Sequence, residues 1–479
     1  MRHLLFLLCL STLLCTCGPA PDAEQQTSTA ARPPNIIYIL ADDLGYGDLS
    51  CYGQQHFATP NIDRLAASGL RFTQHYSGST VCAPSRSALL TGLHTGHTYV
   101  RGNQEVQPEG QVPLPDSIYT LAELLHDRGY RTGAFGKWGL GYPGSEGTPL
   151  RQGFDRFYGY NCQRLAHHYY PYFLWDDDRR DTLGGNAGAK KGQYAPTLIQ
   201  KEVLNFVEAN RDAPFFLYYA HVIPHAELAA PDSIVDRFAG QFDPETPYAG
   251  YDEGPGYRRG AYESAAQPHA TFAAMVTVLD RHVGELMDRL DALGLTENTL
   301  VIFTSDNGPH LEGGADPDYF DSNGPLRGYK RDLYEGGIRV PMIASMPGTV
   351  PVGTSDHMSA FWDVYPTLAE LTGAPSEQRV DGISMLPTLR GQEEQTEHDY
   401  LYWEFHEQGG RQAVRMGPWK GVRYDVFADA DSPLELYDLR TDVGETTDVA
   451  GEHPEIVARL DSLIQNSRVD SELFPFAAR

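Results

Sequence analysis

The sequence predicts an α/β fold: a large, mostly parallel mixed sheet flanked by helices, then a smaller C-terminal antiparallel sheet with one helix. Three observations carry that expectation. Short continuous apolar runs stop at acidic or polar residues, as strands buried on both faces do. Asn35-Ile-Ile-Tyr-Ile-Leu40 stops at Ala41-Asp42-Asp43, and Leu300-Val-Ile-Phe-Thr304 stops at Ser305-Asp306-Asn307-Gly308. Amphipathic stripes lie between such runs, the pattern of helix-covered parallel strands. After about Gly373 the texture changes to shorter segments with strand character.

In chain order, residues 1–17 read as a signal segment. Arg2 and His3 precede the apolar run Leu4 to Leu14, long enough for a signal h-region and too short to span a bilayer. Leu14-Cys15-Thr16-Cys17 resembles a bacterial lipoprotein processing site, with Cys17 as the lipid-anchored residue; plain signal cleavage is the alternative. Residues 18–33, rich in Pro, Ala, Gln, Ser and Thr, read as a tether. The expectation is export, to the periplasm or outer-membrane surface if the source is bacterial.

Residues 34–373 are expected to form the larger domain, opening on the Asn35 strand. Ser79-Thr-Val-Cys82-Ala-Pro84-Ser85-Arg86 precedes the helical pattern Ser87 to Thr91. Pro84 suits a first helical turn and places Cys82 at the positive helix end. Ser117 is expected to cap a helix carrying Ile118, Leu121, Leu124 and Leu125 on one face and ending at Gly129. Phe215-Phe-Leu-Tyr-Tyr219 is a third buried strand, running towards His221 and His225. The rest of Arg164 to Gly260, apart from a helix before that strand, reads as surface loops of the kind that shape a substrate site. Phe272, Met275, Leu279, Val283, Leu286 and Leu290 mark a long helix that stops at Gly294.

Residues 374–479 are expected to form the smaller subdomain. Its strands are Tyr400–Glu404, Gln412–Met416 and Glu435–Leu439, closed by a helix from Pro454 to Ile464. In such folds ligands sit beyond the carboxyl ends of the parallel strands.

Composition narrows the function. A net charge of −27 argues against a nucleic-acid partner, which needs a Lys/Arg footprint. Cys9, Cys15 and Cys17 belong to the signal segment, leaving Cys51, Cys82 and Cys162 without paired or zinc-type spacing. In an oxidising compartment one of these three needs an explanation other than a disulfide, and Cys82 is the candidate. Taken alone it would be a small buried cysteine beside a helix start.

It does not stand alone. Cys82-x-Pro84-Ser85-Arg86 followed by Thr91-Gly92 resembles the signature of the sulfatase family within the alkaline phosphatase superfamily. The other landmarks recur in order: Ala41-Asp42-Asp43-Leu-Gly45, Gly136-Lys137-Trp138, Pro224-His225, Ser305-Asp306-Asn307-Gly308, Gly324-Pro-Leu-Arg-Gly-Tyr-Lys330 and Tyr334-Glu-Gly-Gly-Ile-Arg-Val-Pro341. The resemblance implies hydrolysis of sulfate monoesters by a formylglycine made from Cys82 by a separate maturation enzyme. One hydroxyl of the hydrated aldehyde attacks sulfur, and the other is deprotonated to expel sulfate, splitting one hard step into two. It further implies that Asp42, Asp43, Asp306, Asn307 and the oxidised Cys82 hold a metal. An all-oxygen set suits Ca2+ before Mg2+ and argues against zinc. Arg86 would steady the hydrated aldehyde, Lys137 and Lys330 would hold sulfate oxygens, and His225 would protonate the leaving alkoxide.

One landmark departs from the family pattern. Where Gly-Lys-Trp-His-Leu-Gly is usual, this chain has Gly136-Lys137-Trp138-Gly139-Leu140-Gly141, so a histidine that contacts the formylglycine is missing. His167, His168, His310, His406 and Arg415 are candidate substrate contacts, and these segments resemble bacterial sulfatases acting on sulfated polysaccharide. Two rival readings are a phosphoester or phosphonate hydrolase of the same superfamily and a non-catalytic lipoprotein that binds sulfated glycans.

Overall fold

Asn35–Asp42 is buried along its whole length, and its alternation explains the unbroken apolar run. Ile37 and Ile39 face a core layer that includes Ile199, Val203, Leu279 and Val283, from the helices Ala195–Ala209 and Pro268–Ala292. Ile36, Tyr38 and Leu40 face the opposite layer with Leu89, Leu121, Leu125 and Leu368, from the helices Cys82–Thr91, Leu121–Asp127 and Val364–Thr372. Both faces are therefore covered, as a parallel sheet requires.

The computed structural model describes residues 32–254, 257–375 and 378–476, together with Met1. The expected signal segment, the Cys17 anchor and the tether up to residue 31 lie outside the described residues. Pro33–Arg479 forms one compact unit. From edge to edge its large sheet runs Gly353–Ser355, Leu70–Tyr76, Arg339–Ser345, Thr299–Ser305, Asn35–Asp42, Phe215–Pro224, Arg131–Lys137, Arg156–Tyr160, Phe173–Asp176 and Arg179–Thr182. Ser359–Ala360 also pairs with Leu70–Tyr76. The central strands are parallel; Arg339–Ser345 and the terminal hairpin Phe173–Thr182 are antiparallel.

A separate antiparallel sheet has the order Leu401–Phe405, Arg411–Met416, Trp419–Arg423, Leu434–Asp438. Leu460 and Ile464 of the helix Pro454–Asn466 pack on its Val414 and Leu436. The predicted α/β class is observed, with both sheets as expected. Three local expectations differ. The helix expected from Ser117 begins at Leu121, because Thr120 completes a capping box with Glu123 that satisfies two backbone donors. The Phe173–Thr182 hairpin replaces loop, and Trp419–Arg423 adds a strand whose Lys420 marks a polar position.

Candidate active site

Four adjacent parallel strands end together, which brings residues far apart in the chain into one pocket. Ala41 pairs with Ser305 and Asp42 with Pro224, so the Asn35 strand ends between the Ser305–Asn307 turn and His225. Lys137 closes the next strand. Asp43 adopts a left-handed backbone (φ 65), which a non-glycine residue rarely does without compensation. Here its N–H donates to Asp306 Oδ1 at 3.1 Å, while its carboxylate accepts from Asn307 Nδ2 and Lys330 Nζ, both at 2.7 Å.

Cys82 is the first residue of its helix and is buried. Its Sγ lies 3.4 Å from Asp42 Oδ1, 4.0 Å from Asp43 Oδ1 and 3.2 Å from Lys137 Nζ. Burial, then Asp306, pushes the thiol up against the pull of Lys137 and Lys330. The unmodified residue is therefore a thiol, not a reactive thiolate. Arg86, one turn on, donates to Asp306 Oδ2 from Nε (3.1 Å) and Nη2 (2.8 Å), sits 3.5 Å from Asp42, and also bonds the Lys137 carbonyl.

Ligand atoms of Asp42, Asp43, Cys82 and Asp306 all lie within 4.8 Å of one another. Asn307 Oδ1, buried in the same place, has no partner among the described residues. Burial first, and then Asp306, pushes Asp42 up to about 7 despite Lys137 and Arg86. Converging buried carboxylates with an orphaned amide oxygen fit a hard cation, which would relieve their mutual repulsion.

Lys137 Nζ lies 2.6 Å from Asp42 Oδ2, and Lys330 Nζ lies 2.7 Å from Asp43 Oδ2. Burial opposes the Lys330 charge, but Asp43, Cys82, Glu312 and Asp42 together more than compensate and hold its pKa well above the ordinary lysine range. His225 Nε2 is 3.7 Å from Asp43 Oδ2, and its Nδ1 has no partner among the described residues. Burial, Lys137 and Lys330 hold this imidazole neutral.

The remaining predicted residues divide. His167 stacks on His225 at 5.2 Å between centroids, and His310 lies 6.3 Å from the same ring with Nε2 facing the Pro224 carbonyl at 3.0 Å. His168 is buried between Glu227 and the Gly260 N–H, both ring nitrogens engaged in the fold. His406 pairs with Glu404 and lines a cleft of about 810 Å³ with Arg331, Asn103 and Phe474. That cleft adjoins the pocket, because Asn103 accepts from the Ala83 N–H and Arg331 follows Lys330. Arg415 does not join the pocket residues: its guanidinium bonds Tyr76, Gln74 and the Gly417 carbonyl.

Two site neighbours escaped the sequence reading. Asn103 has no motif around it. Gln163 occupies the space beside Gly139: a Cβ built on Gly139 (φ 104) would come 2.4 Å from Gln163 Nε2. Only the missing histidine hinted that something else fills that place.

An acidic cluster suited to a cation, flanked by two lysines and a helix-initial cysteine at the ends of parallel strands, defines an alkaline-phosphatase-like hydrolase of anionic esters. The Sulfatase family model matches residues 34–374, and the model for the N-sulphoglucosamine sulphohydrolase C-terminal region matches 328–470. The chain is 36% identical to human Arylsulfatase A, over 90% of this chain and 87% of that protein. It is 35% identical to human N-acetylgalactosamine-6-sulfatase, over 76% of this chain and 67% of that protein. Among solved structures, Ps i-CgsB is 30% identical with a TM-score of 0.76, covering 91% of this chain and 93% of that one. The chain belongs to the sulfatase family and is a sulfuric ester hydrolase.

Proposed function

We propose that this enzyme hydrolyses sulfate esters on sulfated carbohydrate, with formylglycine made from Cys82 as nucleophile and a calcium ion bound by Asp42, Asp43, Asp306 and Asn307. The observation that carries the reading is the seat of Cys82 Sγ between Asp42 and the Lys137 ammonium, with Asp43 further off. A bound calcium would act as a Lewis acid on a sulfate oxygen and on the nucleophilic hydroxyl. An all-oxygen cluster of this kind suits Ca2+ better than Mg2+, which demands a stricter octahedron.

The chain's own residues supply the rest. Lys137 and Lys330 approach from two sides and offset the charge of a sulfate monoester as it becomes more anionic. Arg86 anchors Asp306 and the Lys137 carbonyl, which fixes the end of the Arg131 strand. His225 brings its Nε2 to 3.7 Å from Asp43 Oδ2, which places the ring to hand a proton to the departing alkoxide. Burial first, and then the two lysines, keep it neutral; a bound sulfate would offset the lysine charge and so raise its proton affinity.

The carbohydrate assignment is supported by the relatives. One is named for N-acetylgalactosamine-6-sulfate chemistry, and Ps i-CgsB has been solved in complex with k-i-k-neocarrahexaose at 30% identity and a TM-score of 0.75. The adjoining cleft beside His406 and Arg331 has room for further sugar units. A panel of singly sulfated galactose, N-acetylgalactosamine and glucosamine derivatives, with phosphorylated counterparts, tests the reading on wild type and Cys82→Ala. Desulfation by wild type alone is expected. Equal desulfation by both proteins, or preference for the phosphate esters, refutes it.

A further inference from the structure

Gly139 marks a place where this chain differs in kind from its surroundings. Lys137, two residues earlier, touches Cys82 and Asp42, so the backbone at Gly139 runs beside the reaction centre. The side chain of Gln163 fills the room left by the missing Cβ, and the positive φ of Gly139 favours keeping that room open. Gln163 is one of three neighbouring buried carboxamides. The backbone N–H of Gln163 donates to Gln111 Oε1 at 3.1 Å, and the backbone carbonyl of Asn161 accepts from the Gly139 N–H at 3.2 Å.

Five polar atoms of this trio have no partner among the described residues: Gln111 Nε2, Asn161 Nδ2 and Oδ1, and Gln163 Nε2 and Oε1. The three residues are only 1%, 7% and 6% exposed in that order. Buried amides are normally satisfied, so such a concentration points to a ligand. The unpartnered atoms identify its chemistry. A metal would need oxygens alone and an anion donors alone, whereas three amide donors together with two carbonyl acceptors match hydroxyl groups, which both donate and accept. Asn161 also lines a cavity of about 350 Å³ walled by Trp138, Tyr142 and Trp175 with Asp177 and Asp178, which pairs aromatic faces with carboxylates.

We propose that Gln111, Asn161 and Gln163 form a subsite for the hydroxyl groups of a sugar ring next to the scissile sulfate, with Gln163 taking the room beside Gly139. The subsite rests on the carbohydrate reading above. A carboxamide neither accepts nor releases a proton here, so the position serves recognition and leaves proton transfer to other groups.

The test compares a sulfated sugar cleaved by the wild type with 4-nitrophenyl sulfate, which has no sugar hydroxyls. Gln163→Ala and Asn161→Ala should each lower the ratio of kcat/KM for the sugar to that for the aryl ester by about 10-fold or more, the scale of a lost hydrogen bond with a stranded partner. A melting temperature close to that of the wild type reports that each variant has folded, and equal losses on both substrates count against the subsite. A ratio within about twofold of wild type for both variants, on the same scale of discrimination, overturns the subsite. A wild type that cleaves the aryl ester and none of the sulfated sugars overturns the carbohydrate reading itself.

Discussion

Arg86→Met isolates what holds the acidic cluster together before any cation binds. The guanidinium makes two hydrogen bonds to Asp306, an ion pair with Asp42 at 3.5 Å and a bond to the Lys137 carbonyl, with about 1% of its side chain exposed. Asp42, Asp43 and Asp306 are balanced in the native pocket by Arg86, Lys137 and Lys330, so the variant leaves one buried carboxylate without a cation. Breaking a buried pair from one side typically costs about 3–5 kcal/mol. Burial and Asp306 already push Asp42 up to about 7, so it can take up a proton and hold the loss towards the lower end. A loss of about 3 kcal/mol is a large share of the roughly 5–15 kcal/mol that holds a typical protein folded. Urea unfolding at neutral pH with a chelator present should show this shift in midpoint at unchanged slope. Calcium should then return part of it, by about 2.7 kcal/mol at a hundredfold excess over its Kd. A chelated variant within about 1 kcal/mol of wild type would refute the argument that Arg86 neutralises the cluster.

Further expectations concern chemistry and pH. Cys82→Ala should abolish sulfate-ester turnover while keeping the melting temperature, and intact mass of active wild type should show the thiol replaced by an aldehyde; an active protein bearing an unmodified thiol would sink the formylglycine assignment. His225→Gln should slow sugar-sulfate hydrolysis by about 10²–10⁴-fold, the usual contribution of a general acid. The loss should be much smaller for 4-nitrophenyl sulfate, whose leaving group needs no proton, and equal losses would count against the role. Chelation should lower the melting temperature and remove activity, with Ca2+ restoring both better than Mg2+; full recovery with Mg2+ alone would reverse the ion assignment.

Glu445 provides a stability test remote from the reaction. It is fully buried, and burial raises it from 4.5 to about 7 despite Lys420, with Glu335 adding to the rise. Its folded pKa lies above the unfolded value, so its contribution is present below pH 4.5 and lost as pH rises to about 7, on the order of 3 kcal/mol. Glu445→Gln should flatten the stability profile across that window, and an unchanged slope would show that another group sets it.

The sequence by itself determined which segments become buried strands and which helix Cys82 opens, because both are written in contiguous residues. A strand covered on both faces must be apolar at every position, so the Asn35, Phe215 and Thr299 strands announced themselves. Cys82, Pro84, Arg86 and Gly92 form one helix and its cap, whose order no distant contact can change. Helix onset was legible only approximately: Ser117 and Thr120 are both capable caps, and Glu123 decided between them by returning a hydrogen bond to Thr120. What only the tertiary structure decided depends on which strand ends meet. The parallel registers set Asp306 beside Asp43, and a turn far along the chain brings Lys330 onto the same Asp43 carboxylate. Packing of the two sheets consumed Arg415 on Tyr76, which no local pattern foretold. The exchange at Gly139 belongs to the same class. The chain showed a missing side chain, and only the fold could show that Gln163, from the segment after the neighbouring strand, takes its space.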